Sequence, residues 1–114
     1  MTEIFTEHVA AQTIVVAPSG ELDLASAIEL VDALDSAFAT VPSVVLDLYE
    51  VTFIDSSIIS AVASTNHAVA ALPDAQFVVV SPPESRPRRV FEMVGAAQFV
   101  RLYDDRSTAL ASIR

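Results

Sequence analysis

Val44-Val45-Leu46-Asp47-Leu48-Tyr49-Glu50-Val51-Thr52-Phe53-Ile54-Asp55-Ser56-Ser57 holds a strand, a second short apolar piece and the start of a helix in quick succession. Val44 to Leu48 is an apolar run broken only by Asp47, the pattern of a strand covered on both faces. Val51 to Ile54 then delivers Asp55-Ser56-Ser57. Asp and Ser are the side chains that accept the orphan amides of a helix's first turn. From Ser57 to Leu72 the periodicity predicts a helix, with Ile59, Val62, Ala63, Val69 and Ala70 on its core side.

The same alternation continues in both directions. Upstream, Ile4 to Val9 and Thr13 to Ala17 are predicted strands, the second ended by Pro18-Ser19-Gly20. Asp23 or Ser26 can cap the helix that follows, and Ser26 with Glu29 has the spacing of a capping box. Ala27, Ile28, Val31, Leu34 and Phe38 form the predicted buried stripe of that helix of about fifteen residues, and Pro42 marks its end. Downstream come a strand at Phe77 to Val80, a helix from about Ser85 to Met93 stopped by Gly95, a strand at Phe99 to Tyr103, and a last helix from Ser107 to Ile113. The order β-β-α-β-α-β-α-β-α predicts an α/β fold with a mixed, mostly parallel sheet of about five strands and about four helices. At 114 residues, without linker or repeat, the expectation is a single domain over residues 1–114.

What is missing narrows the function. All six basic residues are Arg. Without Lys there is no Walker A phosphate clamp, no Schiff-base or pyridoxal-phosphate enzyme, and no receiver domain that needs a Lys beside its phospho-Asp. Zero Cys excludes disulfides, thiol catalysis and Cys-ligated metal. His8 and His67 lie on different predicted elements with no ligand spacing, so no metal site and no cofactor are expected. The N-terminal stretch, with Glu3 and Glu7, lacks the basic and apolar regions of a signal peptide. The charge-free window Ser56–Pro73 is too rich in Ser, Thr, Asn and His to cross a bilayer. A cytoplasmic protein without membrane insertion is the expectation.

Charge is distributed unevenly. Residues 1–85 carry twelve acidic side chains and no Lys or Arg, a block charge of −12 with His neutral, whereas residues 86–114 carry +3. Such a body repels phosphate backbones, so nucleic acid is not an expected partner. Arg86, Arg88 and Arg89 form the one basic cluster, which serves either as charge balance, with an Arg88–Glu92 pair at helical spacing, or as a docking edge. Asp104-Asp105 reads as a solvated turn. No sequence spacing identifies a catalytic carboxylate pair, and an enzyme is not expected.

Three segments in register carry a family resemblance. Val51-Thr-Phe-Ile-Asp-Ser-Ser57 resembles the strand–helix junction of STAS domains, the anti-sigma factor antagonists (anti-anti-sigma factors). Ser19-Gly20-Glu21-Leu22-Asp23 resembles the segment after that family's second strand. Val90 to Gly95 followed by Phe99 to Leu102 resembles its third helix and last strand. The resemblance implies a small bacterial, cytoplasmic regulator of transcription that binds an anti-sigma factor, often a serine kinase, and so frees a sigma factor. The ATP would belong to the partner. By position, Ser56 would be the phosphoacceptor whose modification ends binding, Asp55 its neighbouring acid, and a phosphatase would reset the cycle. Gly20, Glu21, Leu22 and Asp23, together with Asp55, Ser56, Ser57 and Ile58, would form the docking face, and that acidic face calls for a basic one on the partner.

One departure stands inside the motif, where Ile58 replaces the family's usual Gly. An exposed Ile58 would obstruct a kinase shaped for glycine or would fill a matching pocket on the partner, and Ile also favours helix over Gly. Two alternatives therefore stand beside the phospho-switch: a constitutive STAS adaptor in a stress-sensing or transporter complex, and a small-molecule or nucleotide-sensing module.

Overall fold

Alternating β-branched segments and amphipathic helices build one α/β layer structure. The structure, a computed structural model, describes residues 2–114, and Met1 lies outside them. The strands are β1 (Glu3–Ala10), β2 (Thr13–Leu22), β3 (Ser43–Asp47), β4 (Val51–Ile54), β5 (Gln76–Val80) and β6 (Arg101–Tyr103). The helices are α1 (Leu24–Phe38), α2 (Ser56–Ala70), α3 (Arg86–Met93) and α4 (Arg106–Ala111). The main path of the sheet is β1-β2-β3-β5-β6, with β4 paired to β2 off that path. Only β1–β2 is antiparallel. The expected mixed, mostly parallel sheet is present, and the short piece at Val51 is a sixth strand.

β2 is longer than expected, running through Pro18 to Leu22. Its first half, Thr13–Val16, pairs with β3, and its second half, Gly20–Leu22, pairs with β4. Pro18 falls in the gap between these two partners, where its missing N–H leaves no parallel-ladder bond unmade. Gly20 marks the irregular step, with φ of 85° and its N–H donating to Glu50 O at 3.1 Å. Only glycine takes that left-handed conformation at little cost.

Side chains of one sheet face meet α1, α2 and α3 in the larger core, where Leu30, Leu34, Ile58, Val62 and Phe91 pack over Val16, Val44, Leu46 and Val79. The opposite face carries Val15, Val45, Val78 and Val80 beneath Ala109 of α4. Residue-by-residue alternation along each strand produces both cores at once.

Several local expectations are corrected. α1 is capped by Asp23, whose carboxylate accepts from Ser26 N at 3.0 Å and Ser26 Oγ at 3.1 Å, so Ser26 lies within the first turn and no Ser26–Glu29 box forms. The buried residues of α1 are Ser26, Ala27, Leu30, Leu34 and Ala37, and Ile28 is 64% exposed. In α2 the buried residues are Ile58, Ala61, Val62, Thr65 and Val69, whereas Ile59 is half-buried and Ala70 exposed. β6 begins at Arg101 because Ala96–Gln98 forms a 3-10 turn after Gly95, itself left-handed at φ of 68°. Arg88 does not pair with Glu92. It bonds Asp104 at 2.9 Å, across to the chain just after β6. Asp105 caps α4 by accepting from Thr108 N at 2.7 Å, which starts that helix one residue before Ser107.

Candidate functional site

Leu22 and Ile54 are register partners at the ends of β2 and β4. Because the two strands are parallel, the chain leaves both in the same direction, and each next residue is an aspartate that caps a helix. Asp23 starts α1 and Asp55 starts α2, both in extended conformation. Two helix N-termini, each with a positive dipole end and a capping aspartate, therefore open side by side.

Within this site the two serines differ. Asp55 Oδ1 accepts from Ser57 N at 2.9 Å and from the Ser57 hydroxyl by a short bond. Ser57 is half-buried and held. Ser56, the first residue of α2, is exposed, and its hydroxyl makes no hydrogen bond among the described residues. Of the two serines, Ser56 is the one whose hydroxyl is exposed and not tied to Asp55.

The remaining residues of the expected docking face separate by burial. Glu21 and Asp23 are exposed, and Gly20 and Asp55 are half-exposed. Leu22 and Ile58 are each 0% exposed and belong to the large core, which removes both from any contact surface. The cause is geometric for each. Leu22 alternates inward along β2, and Ile58 leads the inward row of α2 that continues through Ala61, Val62 and Thr65. The Ile58 side chain, where the resemblance implies a glycine, points into the protein.

Electrostatics at the junction are acidic. The hydrogen bonds from Ser26 backbone and hydroxyl hold the Asp23 carboxyl below its ordinary value. The Arg side chains that reach nearby strand ends are already engaged. Arg106 bonds Asp47 at 2.9 Å and Glu7 at 3.3 Å, and Arg88 bonds Asp104. Burial pulls the Arg106 guanidinium down, but the bond and charge of Asp47, with those of Glu7, outweigh it and hold the group above its ordinary value. Among the described residues no cluster of three or more His, Cys, Asp or Glu is placed to hold a metal ion, and His8 and His67 are exposed on β1 and α2. No described helix is long and apolar enough to cross a membrane.

A surface that local sequence periodicity misplaced lies next to this junction. Leu24, Ile28 and Val31 of α1 face Ser57, Ser60 and Ser64 of α2 across an open groove of about 590 Å³. Ile28 and Val31 had the spacing of core residues, and nothing in the local pattern marks them as surface.

The comparisons with known proteins agree with this geometry. The family model for the STAS domain matches residues 5–109. A search of curated proteins found no match. Among solved structures, an anti-sigma factor antagonist from Mycobacterium paratuberculosis is similar with a TM-score of 0.88 and 28% identity, over 100% of this chain and 95% of that one. The anti-sigma factor antagonist SpoIIAA in its unphosphorylated form is similar with a TM-score of 0.75 and 20% identity, over 95% and 93% of the two chains. The phosphorylated form of the Bacillus cell fate determinant SpoIIAA gives 0.72 and 20%, over 98% and 100%. With the Asp55-capped strand–helix junction inside the matched residues and the fold shared end to end, the chain belongs to the STAS domain family.

Proposed function

We propose that this protein is an anti-sigma factor antagonist that binds an anti-sigma factor with serine kinase activity, frees the sigma factor, and is released by phosphorylation of Ser56. The observation that carries the reading is the contrast between the two serines. Ser57 is tied to Asp55, while Ser56 presents an exposed hydroxyl at the first position of α2. In the transfer, Ser56 Oγ attacks the γ-phosphorus of the partner's ATP, the new O–P bond forms as the bond to ADP breaks, and the hydroxyl proton passes to a base on the partner.

The product explains the switch. Phosphoserine adds about −1.5 to −2 charges at pH 7, and the positive dipole end of α2 stabilises it without rearranging the fold. An acceptor hydroxyl must face the nucleotide's phosphates, so the modified side chain then opposes the charge of ADP and of neighbouring Asp55. A hundredfold loss of affinity needs only about 2.7 kcal/mol, and like-charge juxtaposition at an interface costs several. The acidic first 85 residues favour a basic surface on the partner outside that nucleotide contact. A phosphatase restores the binding form. The burial of Ile58 supports this reading over a constitutive adaptor, because the side chain that departs from the family motif does not obstruct the approach to Ser56.

The test is incubation of the purified protein with the candidate kinases encoded near its gene and ATP, followed by peptide mass spectrometry. One phosphoryl group on Ser56 is expected. Modification of Ser57 in its place, or none with any such kinase, overturns the proposal.

A further inference from the structure

α1 is apolar on two sides. Ala27, Leu30, Leu34 and Ala37 enter the core. Leu24, 67% exposed, and Ile28, 64% exposed, stand on another side, with half-buried Val31 continuing the same row. Their spacing of four and three residues makes a ridge about 10 Å long. Opposite this ridge, Ser57, Ser60 and Ser64 of α2 are small and lie low, so a rod-shaped partner can settle between the two helices. A third helix laid in such a trough meets ridges and grooves of the usual spacing.

The charge around the groove selects the occupant. Glu29, Asp32 and Asp35 are exposed on α1, and Asp32 lines the groove itself. No Lys or Arg occurs in residues 1–85, and His67 of α2 lies beyond Ser64, outside the groove lining. We propose that the groove between α1 and α2 receives an amphipathic helix of the protein partner, with an apolar stripe seated on Leu24, Ile28 and Val31 and with Lys or Arg flanking it toward Glu29 and Asp32. The inference rests on the partner-binding reading above and adds where the partner's helix lies and what it carries. The groove ends at Ser57, so a helix docked there holds its parent protein beside Ser56.

The experiment selects from a library of amphipathic helices displayed on a small helical scaffold, using the full-length protein as target and Ile28→Glu as counter-target. Ile28 is exposed, so the variant folds, and thermal unfolding verifies this. The expected winners carry apolar residues at i, i+3 or i+4 and i+7 with Lys or Arg beside them. They bind at least tenfold more weakly to Ile28→Glu and shift amide resonances within Leu24–Val31 and Ser57–Ser64. The absence of enrichment over Ile28→Glu, equal enrichment of acidic flanks, or resonance shifts elsewhere each overturn the inference. A concentration-dependent dimer of the wild type that Ile28→Glu abolishes also overturns it, because a second copy then fills the groove. Failure is distinguishable from failure of the phospho-switch, since unmodified Ser56 with intact helix binding removes the switch alone.

Discussion

Leu22 of β2 and Ile54 of β4 sit opposite each other at the ends of two parallel strands, and each is followed at once by a helix-capping aspartate. This pairing places Asp23 and Asp55 at one edge of the sheet although thirty-two positions separate them in the chain. The exposed Ser56 hydroxyl and the groove between α1 and α2 both open from that edge.

Ser56→Asp should lower affinity for the anti-sigma factor at least hundredfold, about 2.7 kcal/mol, while Ser56→Ala binds as wild type does. Both variants should keep the melting temperature, because the side chain is exposed and an acid at a helix N-terminus is favourable. Titration calorimetry with the purified partner measures the difference, and equal binding of the two variants removes the switch.

Ile58→Gly restores the family's usual residue and should destabilise the fold severely. Deleting a buried Ile to Ala costs about 2–5 kcal/mol, and a helical Gly adds about 1. Ile58→Val should cost about 0.5–1.5 kcal/mol. Urea unfolding measures both. Partner affinity of folded Ile58→Val should be unchanged, and a large loss there would return Ile58 to the interface.

Asp23→Ala should destabilise the protein through loss of the α1 cap. The hydrogen bonds from Ser26 lower the folded-state pKa of Asp23 from 3.8. A lowered folded-state value means that the stabilisation is fully present above the unfolded-state pKa and is lost as pH falls through the folded-state one. The stability gap between wild type and Asp23→Ala should therefore be constant above about pH 5 and shrink below about pH 4. Asp105→Ala should behave alike, since Thr108 lowers its carboxyl in the same manner. Denaturant melts from pH 2 to pH 7 provide the measurement.

Arg106→Ala should destabilise more than Arg86→Ala. Asp47 is buried, and Arg106 is its charged partner at 2.9 Å. Breaking a fully buried pair costs about 3–5 kcal/mol. Arg106 itself remains partly exposed and solvent screens the bond, so about 1–3 kcal/mol is expected here. Arg86 is exposed and should change stability by less than about 0.5 kcal/mol.

Partner association should slow as salt is added, with the on-rate falling about tenfold between low and physiological ionic strength. Stopped-flow association across a salt series tests this, and a salt-independent rate contradicts a basic docking face.

The order of strands and helices, the cap at Asp55, the helix start near Ser85 and the stop at Gly95 were legible in the chain, because caps, breakers and periodicity act over one to four residues. Which face of α1 is buried was not. With Leu24, Ala27, Ile28, Leu30, Val31, Leu34 and Phe38 all apolar, several stripes satisfy the helical period equally, and only docking against the sheet and α2 decides that Leu30 goes in and Ile28 stays out. Ile58 and Ile59 pose the same ambiguity one residue apart, and burial resolves it in favour of Ile58. Arg88 has Glu92 at helical distance but bonds Asp104, and β2 extends past Pro18 because β4, distant in the chain, takes over from β3 as its partner. Local chemistry in the amino-acid sequence determined the elements, and the family resemblance of Val51–Ser57 supplied the phosphoacceptor candidate. Only long-range strand pairing and helix docking brought Asp23 beside Asp55 and left an apolar ridge uncovered next to Ser56.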